Sequence, residues 1–346
     1  MTELKVAIIG ASGYAGAELI RLIMHHPNLE LEMIISSQHV GRSLHTVYKH
    51  LSHYPLTFEA FEHTEIVKRV DLIFFATPPG ISGKWAQSFV QAGKYVVDLS
   101  GDFRLESSST YEKWYQLPAP QRINIQPAVY GLSEWFRESI QRSPFISNPG
   151  CFPTASLLAL APLLNQQAIS TTDIFIDAKS GISGAGRKVL QPFQFSESNE
   201  NLRAYKALYH QHIPEIEQIG AKLAKEEIRV QFVPHLVPMN RGILVTIYVT
   251  PLLPLTDQDL VELYHDAYRH APFVRIRSHE YPTTKEVHGS NYCDIGFFKD
   301  DRTHRIILFA AIDNLMKGAA SQAIQNINIR MGWKEECGLH FMPLYP

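Results

Sequence analysis

The chain is poor in cysteine. Its 346 residues contain three cysteines, Cys151, Cys293 and Cys337, which are far apart and odd in number. They form neither a disulfide framework nor the closely spaced pairs of a zinc site. We therefore expect a reducing, cytoplasmic environment and no bound metal.

Long apolar runs and an excess of one charge are missing as well. No stretch of about 18 apolar residues is present, so we expect no membrane span. The 32 basic and 34 acidic residues give a formal net charge of −2, so no global positive field draws the chain to nucleic acid. A strand pattern begins at once at the N-terminus, and we expect no signal peptide. A G-x-x-x-x-G-K-[ST] loop is also absent, which argues against ordinary ATP binding.

The length suggests two domains, at roughly 100–200 residues each, and the first alternates strands with helices. Apolar runs at 4–9, 29–35, 71–76 and 95–99 predict strands, and residues 17–23 predict a helix after the first strand. Continuously apolar strands are typical of parallel sheets that are covered on both faces. We therefore predict a Rossmann-type, doubly wound α/β domain, in which ligands bind beyond the carboxyl ends of the strands.

A glycine-rich turn lies between the first strand and the first helix. Its glycines fall as G-x-x-G-x-x-G, a variant of the dinucleotide fingerprint, in the expected strand–turn–helix context. Such a turn lets the backbone approach a pyrophosphate and directs a helix N-terminus at the phosphates. The alternative is a glycine-rich turn that binds nothing. The candidate cofactor contacts in the turn are Gly10, Ser12, Gly13, Tyr14 and Gly16.

The end of the second strand bears on the choice of cofactor. An NAD site usually carries an acidic residue about 20 residues past the glycines, but Ser36 and Ser37 stand there and Arg42 follows. Small hydroxyls and a cation suit a 2′-phosphate, so we favour NADP(H). The alternative is that Arg42 is only a solvated loop charge.

Two further loops are candidates for ligand contacts. Arg104 follows the strand at 95–99 and either contacts an anionic substrate or pairs with Asp102. Small residues at 180–187, including Ser183 and Gly184, would let the backbone approach a ligand closely and bind an anion. A flexible hairpin is the alternative for that loop.

Cys151 stands between a Pro-Gly pair and a run of helix-forming residues. The run from Pro153 to Leu164 predicts about three helical turns, with proline in the first turn. Cys151 would lie at the helix N-terminus, where the dipole favours the nucleophilic thiolate over the thiol. The alternative is a small buried hydrophobic residue, which a cysteine often is.

Two histidines two residues apart follow later in the chain. His210 and His212 do not share a helical face, but on an extended segment they would point the same way. A metal pair would need a third ligand, and none is evident. We expect one of the two to act as acid and base beside Cys151; the alternative is a structural histidine near the helix start at Pro214.

The second half of the chain shows a different pattern of predicted secondary structure. Long strand patterns occur at 228–233, 242–250 and 305–310, with a helix pattern at 257–270. These predict a mixed or antiparallel sheet, which often offers one face to a partner, so we expect a homo-oligomer. Residues 107–145 predict a long irregular connection.

The C-terminal run at 313–327 predicts a helix, with one apolar stripe at i+4 spacing. Asn314 opens this helix and is placed to cap it. We expect the helix to return to the first domain. The predicted domains are therefore a discontinuous dinucleotide-binding domain, 1–150 with 313–346, and a catalytic and dimerisation domain, 151–312.

Several motifs that span nearly the whole chain together resemble the type 1 N-acetyl-gamma-glutamyl-phosphate reductase family. They are Gly10-x-x-Gly13-Tyr-x-Gly16, Asp98-Leu-Ser-x-Asp102-Phe-Arg104, Tyr130-Gly-Leu-x-Glu134, Asn148-Pro-Gly-Cys151-x-Pro-Thr, Ser180-Gly-x-Ser-Gly-Ala-Gly-Arg187, His212-x-Pro-Glu-Ile216, Pro234-His-Leu-x-Pro-Met-x-Arg241-Gly and Asp313-Asn-Leu-x-Lys-Gly-Ala-Ala. The cysteine and Ser-Gly-x-Ser-Gly motifs are the most specific of these.

The resemblance implies NADPH-dependent reduction of a small acyl phosphate to a semialdehyde, in arginine biosynthesis. It implies Cys151 as the nucleophile, and the His-x-Pro-Glu-Ile motif favours His212 as acid and base, with His210 second. Asn314 resembles the position that holds the nicotinamide amide in related dehydrogenases. Arg104 and Arg187 are the candidates for phosphate or carboxylate contacts.

One position departs from the family pattern. The family usually has His-Arg-His before x-Pro-Glu, and Gln211 replaces the arginine here.

Two alternatives to this function stay open. One is a related acyl-phosphate reductase, such as aspartate-semialdehyde dehydrogenase or an aminoadipyl-phosphate reductase, and the other is a non-catalytic dinucleotide sensor.

Overall fold

The computed structural model describes residues 3–120, 127–187 and 189–345. Its strands are β1 (Leu4–Ile9), β2 (Leu29–Ile35), β3 (Phe58–Glu59), β4 (Leu72–Phe75), β5 (Tyr95–Asp98), β6 (Val129–Tyr130), β7 (Phe145–Ser147), β8 (Ile169–Gly181), β9 (Arg203–Ala204), β10 (Val230–Val237), β11 (Ile243–Pro251), β12 (Val274–Ile276), β13 (Cys293–Asp300) and β14 (Arg305–Ile312).

The α-helices are α1 (Tyr14–Ile23), α2 (Leu44–Val47), α3 (His63–Arg69), α4 (Ser82–Gln91), α5 (Ser108–Tyr115), α6 (Arg137–Arg142), α7 (Cys151–Asn165), α8 (Phe195–Ser198), α9 (His212–Ala224), α10 (Asp257–Tyr268) and α11 (Ser321–Arg330). A 3-10 turn, Ile182–Ala185, follows β8, and a π-helical turn, Met316–Ala320, precedes α11. No helix in the described ranges is long and apolar enough to cross a membrane.

Contacts divide the chain into two units. Unit 1 comprises Met1–Pro149 and Ala319–His340, and unit 2 comprises Gly150–Gly318 and Phe341–Pro346. The sequence predicts that the chain returns to the first domain at 313, six residues before Ala319. Residues 313 and 314 stay with unit 2 because their side chains accept hydrogen bonds from backbone N–H groups of that unit, at Gly289 and Gly242.

Unit 1 is built on a seven-stranded sheet in the order β3-β2-β1-β4-β5-β7-β6. Every neighbouring pair in it is parallel. The apolar runs of β1 and β4 are buried on both faces, as a parallel sheet with helices on each side requires. The predicted Rossmann-type domain is confirmed, and α11 lies in it as expected.

Unit 2 contains a mixed seven-stranded sheet in the order β12-β13-β14-β11-β8-β10-β9. β8 pairs with β10 in parallel and with β11 antiparallel. Helix α7 is apolar around its whole circumference, and every residue from Phe152 to Leu164 is buried, as expected of a helix at the centre of a core. The predicted mixed sheet is confirmed.

The structure corrects two predictions for the connecting segments. The segment 107–145 is not irregular throughout, since it contains α5 and α6. Ser107 caps α5 by accepting the Thr110 N–H at 3.2 Å, a local signal that the Ser- and Pro-rich composition concealed. The predicted C-terminal helix is present but starts later than 313, because the Asp313 carboxylate caps a turn there. The π-helical turn Met316–Ala320 follows and continues into α11 at Ser321.

Candidate active site

The glycine turn of unit 1 is too tight for side chains. Gly10 has a φ of +91°, and a Cβ there would lie 2.4 Å from the Ala76 carbonyl oxygen. A Cβ on Gly16 would lie 2.6 Å from the Gly10 carbonyl oxygen. Both positions therefore require glycine, for the turn itself and for the close packing of α1 on it.

Helix α1 begins at Tyr14 directly after this turn. Gly13 is its N-cap residue, and no side chain among the described residues caps it. An uncapped N-terminus at the carboxyl edge of a parallel sheet suits a pyrophosphate group. The hydroxyl of Tyr48 donates to the Gly13 carbonyl at 3.0 Å. The sequence reading missed this support, because a contact across 35 residues leaves no local pattern.

Ser36 lies beside the turn, at the carboxyl end of β2. Its Oγ is 2.9 Å from Ser12 Oγ and accepts the Gln38 N–H at 3.3 Å. The structure thus brings Ser12 and Ser36 together. Arg42 lies on the loop that follows, with its side chain exposed.

Arg104 is buried in unit 1 and held by backbone carbonyls. Its Nε donates to Asn148 O at 2.8 Å, and a terminal nitrogen donates to Leu99 O at 2.9 Å. The Asp102 carboxylate accepts from the Gly80 N–H and the Tyr111 hydroxyl, each at 2.7 Å. Asp102 therefore serves to fasten the loop after β4 to α5.

In unit 2, Cys151 is the first residue of α7. The helix begins two residues earlier than predicted, with Gly150 as its N-cap residue, and the thiol is partly exposed. No acidic residue lies in the first turn. The position gives the sulfur the field of the helix N-terminus, which stabilises a thiolate.

The start of α9 lies against the start of α7. Glu215, in the first turn of α9, is completely buried and accepts the Gly150 N–H at 2.7 Å. His212 is the first residue of α9. A carboxylate of one helix thus joins the starts of the helices that carry Cys151 and His212. Glu215 was part of a quoted motif, but spacing alone did not reveal its partner.

His210 and His212 are adjacent, although His212 is helical and not on the extended segment that the spacing allowed. Their ring centroids are 4.6 Å apart, and Phe152 contacts both rings. The His212 N–H donates to His210 Nδ1 at 3.1 Å. Burial, with a smaller effect of Lys206, lowers the pKa of His210 to about 3, so this ring is neutral near pH 7.

Tyr205 completes this aromatic surrounding. Its ring meets that of His210 edge-on, with the centroids 5.6 Å apart. Burial, and to a smaller extent Cys151, raises the pKa of Tyr205, so its hydroxyl keeps its proton. Within the described residues, no three His, Cys, Asp or Glu side chains are grouped as a metal ion would require.

Asn314 and Ser183 form a second pair in unit 2. Asn314 Nδ2 donates to Ser183 Oγ at 3.0 Å, and Asn314 Oδ1 accepts the Gly242 N–H at 2.8 Å. A Cβ on Gly184 would lie 3.8 Å from Asn314 Nδ2, so three predicted cofactor contacts are neighbours. Arg187 lies at the end of this loop, with its side chain exposed.

Two family models match the chain. Residues 5–143 match the semialdehyde dehydrogenase NAD binding domain, and residues 151–314 match the semialdehyde dehydrogenase dimerisation domain. The first match agrees with the glycine turn, and a nicotinamide dinucleotide is the cofactor class that it indicates.

Named relatives cover the full length. N-acetyl-gamma-glutamyl-phosphate reductase of Geobacillus kaustophilus is 48% identical over 344 residues, which is 99% of this chain and 100% of that protein. The reductase of the same name from Shouchella clausii is 48% identical over 347 residues, with the same coverage.

Solved structures share the fold at low identity. Aspartate semialdehyde dehydrogenase II of Vibrio cholerae superposes with a TM-score of 0.72 at 18% identity, covering 96% of this chain and 99% of that one. The enzyme of Candida albicans, described with NADP, gives 0.68 at 16% identity, covering 95% and 98%. At sequence identities this low, the likeness shows a shared fold alone.

Proposed function

Because the chain belongs to the N-acetyl-gamma-glutamyl-phosphate reductase family, we propose that it reduces N-acetyl-gamma-glutamyl phosphate to N-acetylglutamate semialdehyde and phosphate, in arginine biosynthesis. The observation that carries the proposal is the position of Cys151, as the first residue of α7 and joined through Gly150 and Glu215 to the helix that begins with His212.

Cys151 is the covalent nucleophile in this proposal. Its thiolate attacks the acyl carbon, the bond from that carbon to the phosphate oxygen breaks, phosphate leaves, and a thioester remains on the sulfur. The helix N-terminus supports the thiolate before attack. When bound, the nicotinamide cofactor supplies the hydride that reduces the thioester carbon.

His212 is the acid and base. It takes the proton from the Cys151 thiol before attack and gives that proton to the oxygen on the reduced carbon, which forms a hemithioacetal. It then takes the hydroxyl proton back as the C=O bond forms and the C–S bond breaks, the electron pair of that bond returning to the sulfur. His210 is less suited to this task, because its Nδ1 already accepts the His212 N–H and its buried ring is neutral. Its contacts support a role in orienting the start of α9.

The residues of the glycine turn fit a dinucleotide. Gly10, Gly13 and Gly16 have no side chains, so a ligand can approach the backbone closely, and the N-terminus of α1 suits the pyrophosphate. Ser12 and Tyr14 are proposed as further contacts. In unit 2, the pair of Ser183 and Asn314, with Gly184, is proposed to hold the nicotinamide amide. Arg104 and Arg187 are proposed to contact the phosphate and carboxylate of the substrate.

NADP(H) is the proposed cofactor, through Ser36 and Arg42. Arg42→Ala is expected to raise the KM for NADPH about 10-fold and to leave the KM for NADH nearly unchanged, because only the phosphorylated cofactor loses a charged contact. Steady-state assays with both cofactors measure this. Arg142→Ala, which removes an exposed arginine at the end of α6, is the matched control. A wild-type preference for NADH would contradict the proposal.

The substrate is tested in the reverse direction. With NADP and phosphate, the protein is expected to turn over N-acetylglutamate semialdehyde at least about 100-fold more efficiently than aspartate semialdehyde, since sites with paired polar contacts discriminate strongly. Cofactor reduction at 340 nm follows the reaction. Equal or better turnover of aspartate semialdehyde would assign the chain to the related reductase instead.

The assembly and the location are proposed as well. Unit 2 matches a domain described as a dimerisation domain, and this supports a homo-oligomer, dimer or tetramer. A cytoplasmic location agrees with cysteines that form no disulfide among the described residues.

A further inference from the structure

We propose that Gly318 is a positioning residue for Cys151. Because residue 318 has no side chain, Cys151 can occupy the space beside it, and this sets the position of the nucleophile. The proposal rests on the proposed function only for its consequence in catalysis. Its structural part concerns two residues of unit 2 and stands on their contact.

The contact is between backbone-fixed atoms. A Cβ on Gly318 would lie 2.8 Å from Cys151 Cβ and 3.3 Å from Cys151 Cα. The third neighbour, Ile312 Cδ1 at 3.3 Å, is the tip of a flexible side chain and can move aside. Rotation of the Cys151 side chain cannot move its Cβ away, because this atom is bonded directly to the Cα of the first residue of α7. A methyl group at 318 therefore has to displace Cys151 or the turn.

The turn that carries Gly318 has little room to move. It is the π-helical turn, in which the Gly318 N–H donates to Asp313 O at 3.0 Å. The Asp313 carboxylate is completely buried and accepts N–H groups from Leu315, Met316 and Gly289. Such single π turns occur often at functional sites. Here Gly318, the middle residue of the turn, lies next to Cys151.

Cys151 is held from the other side. The Gly150 N–H donates to the buried Glu215 carboxylate at 2.7 Å, and the Thr154 N–H donates to Gly150 O at 2.9 Å. Phe152, the next residue, is buried and meets the rings of His210 and His212 edge-on. With both sides fastened, an added methyl group at 2.8 Å from Cys151 Cβ has to shift the nucleophile or the turn.

The same short stretch also carries Asn314, which its contacts with Ser183 and Gly242 hold in place. The stretch 313–318, which Asp313 caps, therefore positions both the proposed nicotinamide contact and the nucleophile. Because a misplacement of about 1 Å can cost about 100-fold in rate, a glycine whose added methyl group would meet the nucleophile's Cβ controls the rate without touching substrate.

The kinetic test is Gly318→Ala. We expect kcat to fall about 10- to 100-fold and the KM for NADPH to stay within about 3-fold of the wild-type value. Both the rate of iodoacetamide alkylation at Cys151 and the pH midpoint of that alkylation are expected to change. Gly220→Ala is the control, since the nearest neighbours of its Cβ would be atoms of flexible side chains, Ile228 Cδ1 at 2.2 Å, Ile228 Cγ1 at 3.3 Å and Leu164 Cδ1 at 3.4 Å. Unchanged kcat and an unchanged alkylation profile in folded Gly318→Ala would overturn the proposal.

A stability cycle tests the contact without activity. Gly318→Ala is expected to lower the Tm on the order of 5 °C, and most of that loss should disappear in the Cys151→Gly background, which lacks the opposing Cβ. An equal loss in both backgrounds would overturn the contact. If Gly318→Ala alone does not fold, recovery of folded protein with Cys151→Gly supports the proposal, and failure to recover contradicts it.

These measurements distinguish the covalent mechanism from the role of Gly318. If Cys151→Ser remained active, the covalent mechanism would be wrong whatever the stability cycle showed. If Cys151→Ser is inactive and the stability cycle shows no coupling, the proposed function stands and the role of Gly318 is rejected.

Discussion

Cys151→Ser is expected to lower the rate of acyl-phosphate reduction at least about 1,000-fold and to leave NADPH binding intact. The hydroxyl is a weak nucleophile near neutral pH, whereas a thiolate at a helix N-terminus is a strong one. The substitution changes one atom at the start of α7 in unit 2, and the glycine turn that suits the dinucleotide lies in unit 1. Binding is measured by NADPH fluorescence and reduction by cofactor oxidation.

The other two cysteines provide an internal comparison. Burial raises the pKa of Cys337, so its thiol stays protonated near neutral pH, and Cys293 is completely buried in β13. Iodoacetamide near pH 7 is therefore expected to modify Cys151 first and to inactivate the protein in step with that modification, as peptide mass spectrometry can show. Cys337→Ser is the matched control and should keep its activity.

Two results would contradict the covalent mechanism. One is a Cys151→Ser variant with near wild-type reduction. The other is ordinary, slow alkylation of Cys151 with intact NADPH binding and no turnover of any semialdehyde, which is the behaviour of a non-catalytic dinucleotide sensor.

His212→Asn is expected to depress kcat about 100-fold, because general acid–base catalysis by one side chain contributes on that order. A single-turnover measurement isolates the chemical step from product release. Since His212 begins α9, a circular dichroism spectrum and a Tm confirm that the helix is retained.

His210→Asn is the comparison, and its effect on kcat should be the smaller one. Burial lowers the pKa of His210 to about 3, so this ring does not change charge between pH 5 and pH 9. Its replacement should therefore leave the shape of the pH–rate profile unchanged, whereas His212→Asn should remove one limb. A large loss at 210 with little change at 212 would reverse the assignment.

The fold of unit 1 was readable because its signals are local. The strand at 29–35 and the glycine turn after β1 follow from apolar runs and from the conformational freedom of glycine. The strand β13 was missed, since Cys293–Asp300 includes a glycine and three charged residues. Its strand conformation is stabilised by pairing with β14.

The site was readable to a smaller degree. Motif order singled out Cys151 and His212, but it did not distinguish the tasks of the two histidines, because burial and the bond from the His212 N–H to His210 arise only on folding. Tyr48 was not singled out, and Glu215 and Gly318 stood in motifs whose spacing showed no role for them. Each acts through one contact with a residue that is distant in sequence.

The sequence by itself determined the two-part plan, the dinucleotide turn and the placement of Cys151 at a helix N-terminus, since these depend on local periodicity, on glycine and on residue chemistry. The tertiary structure alone decided where α7 begins, which carboxylate joins its start to α9, and which glycine faces Cys151. Those features are contacts between segments some 60 to 170 residues apart, and no local pattern encodes the distance between two such atoms.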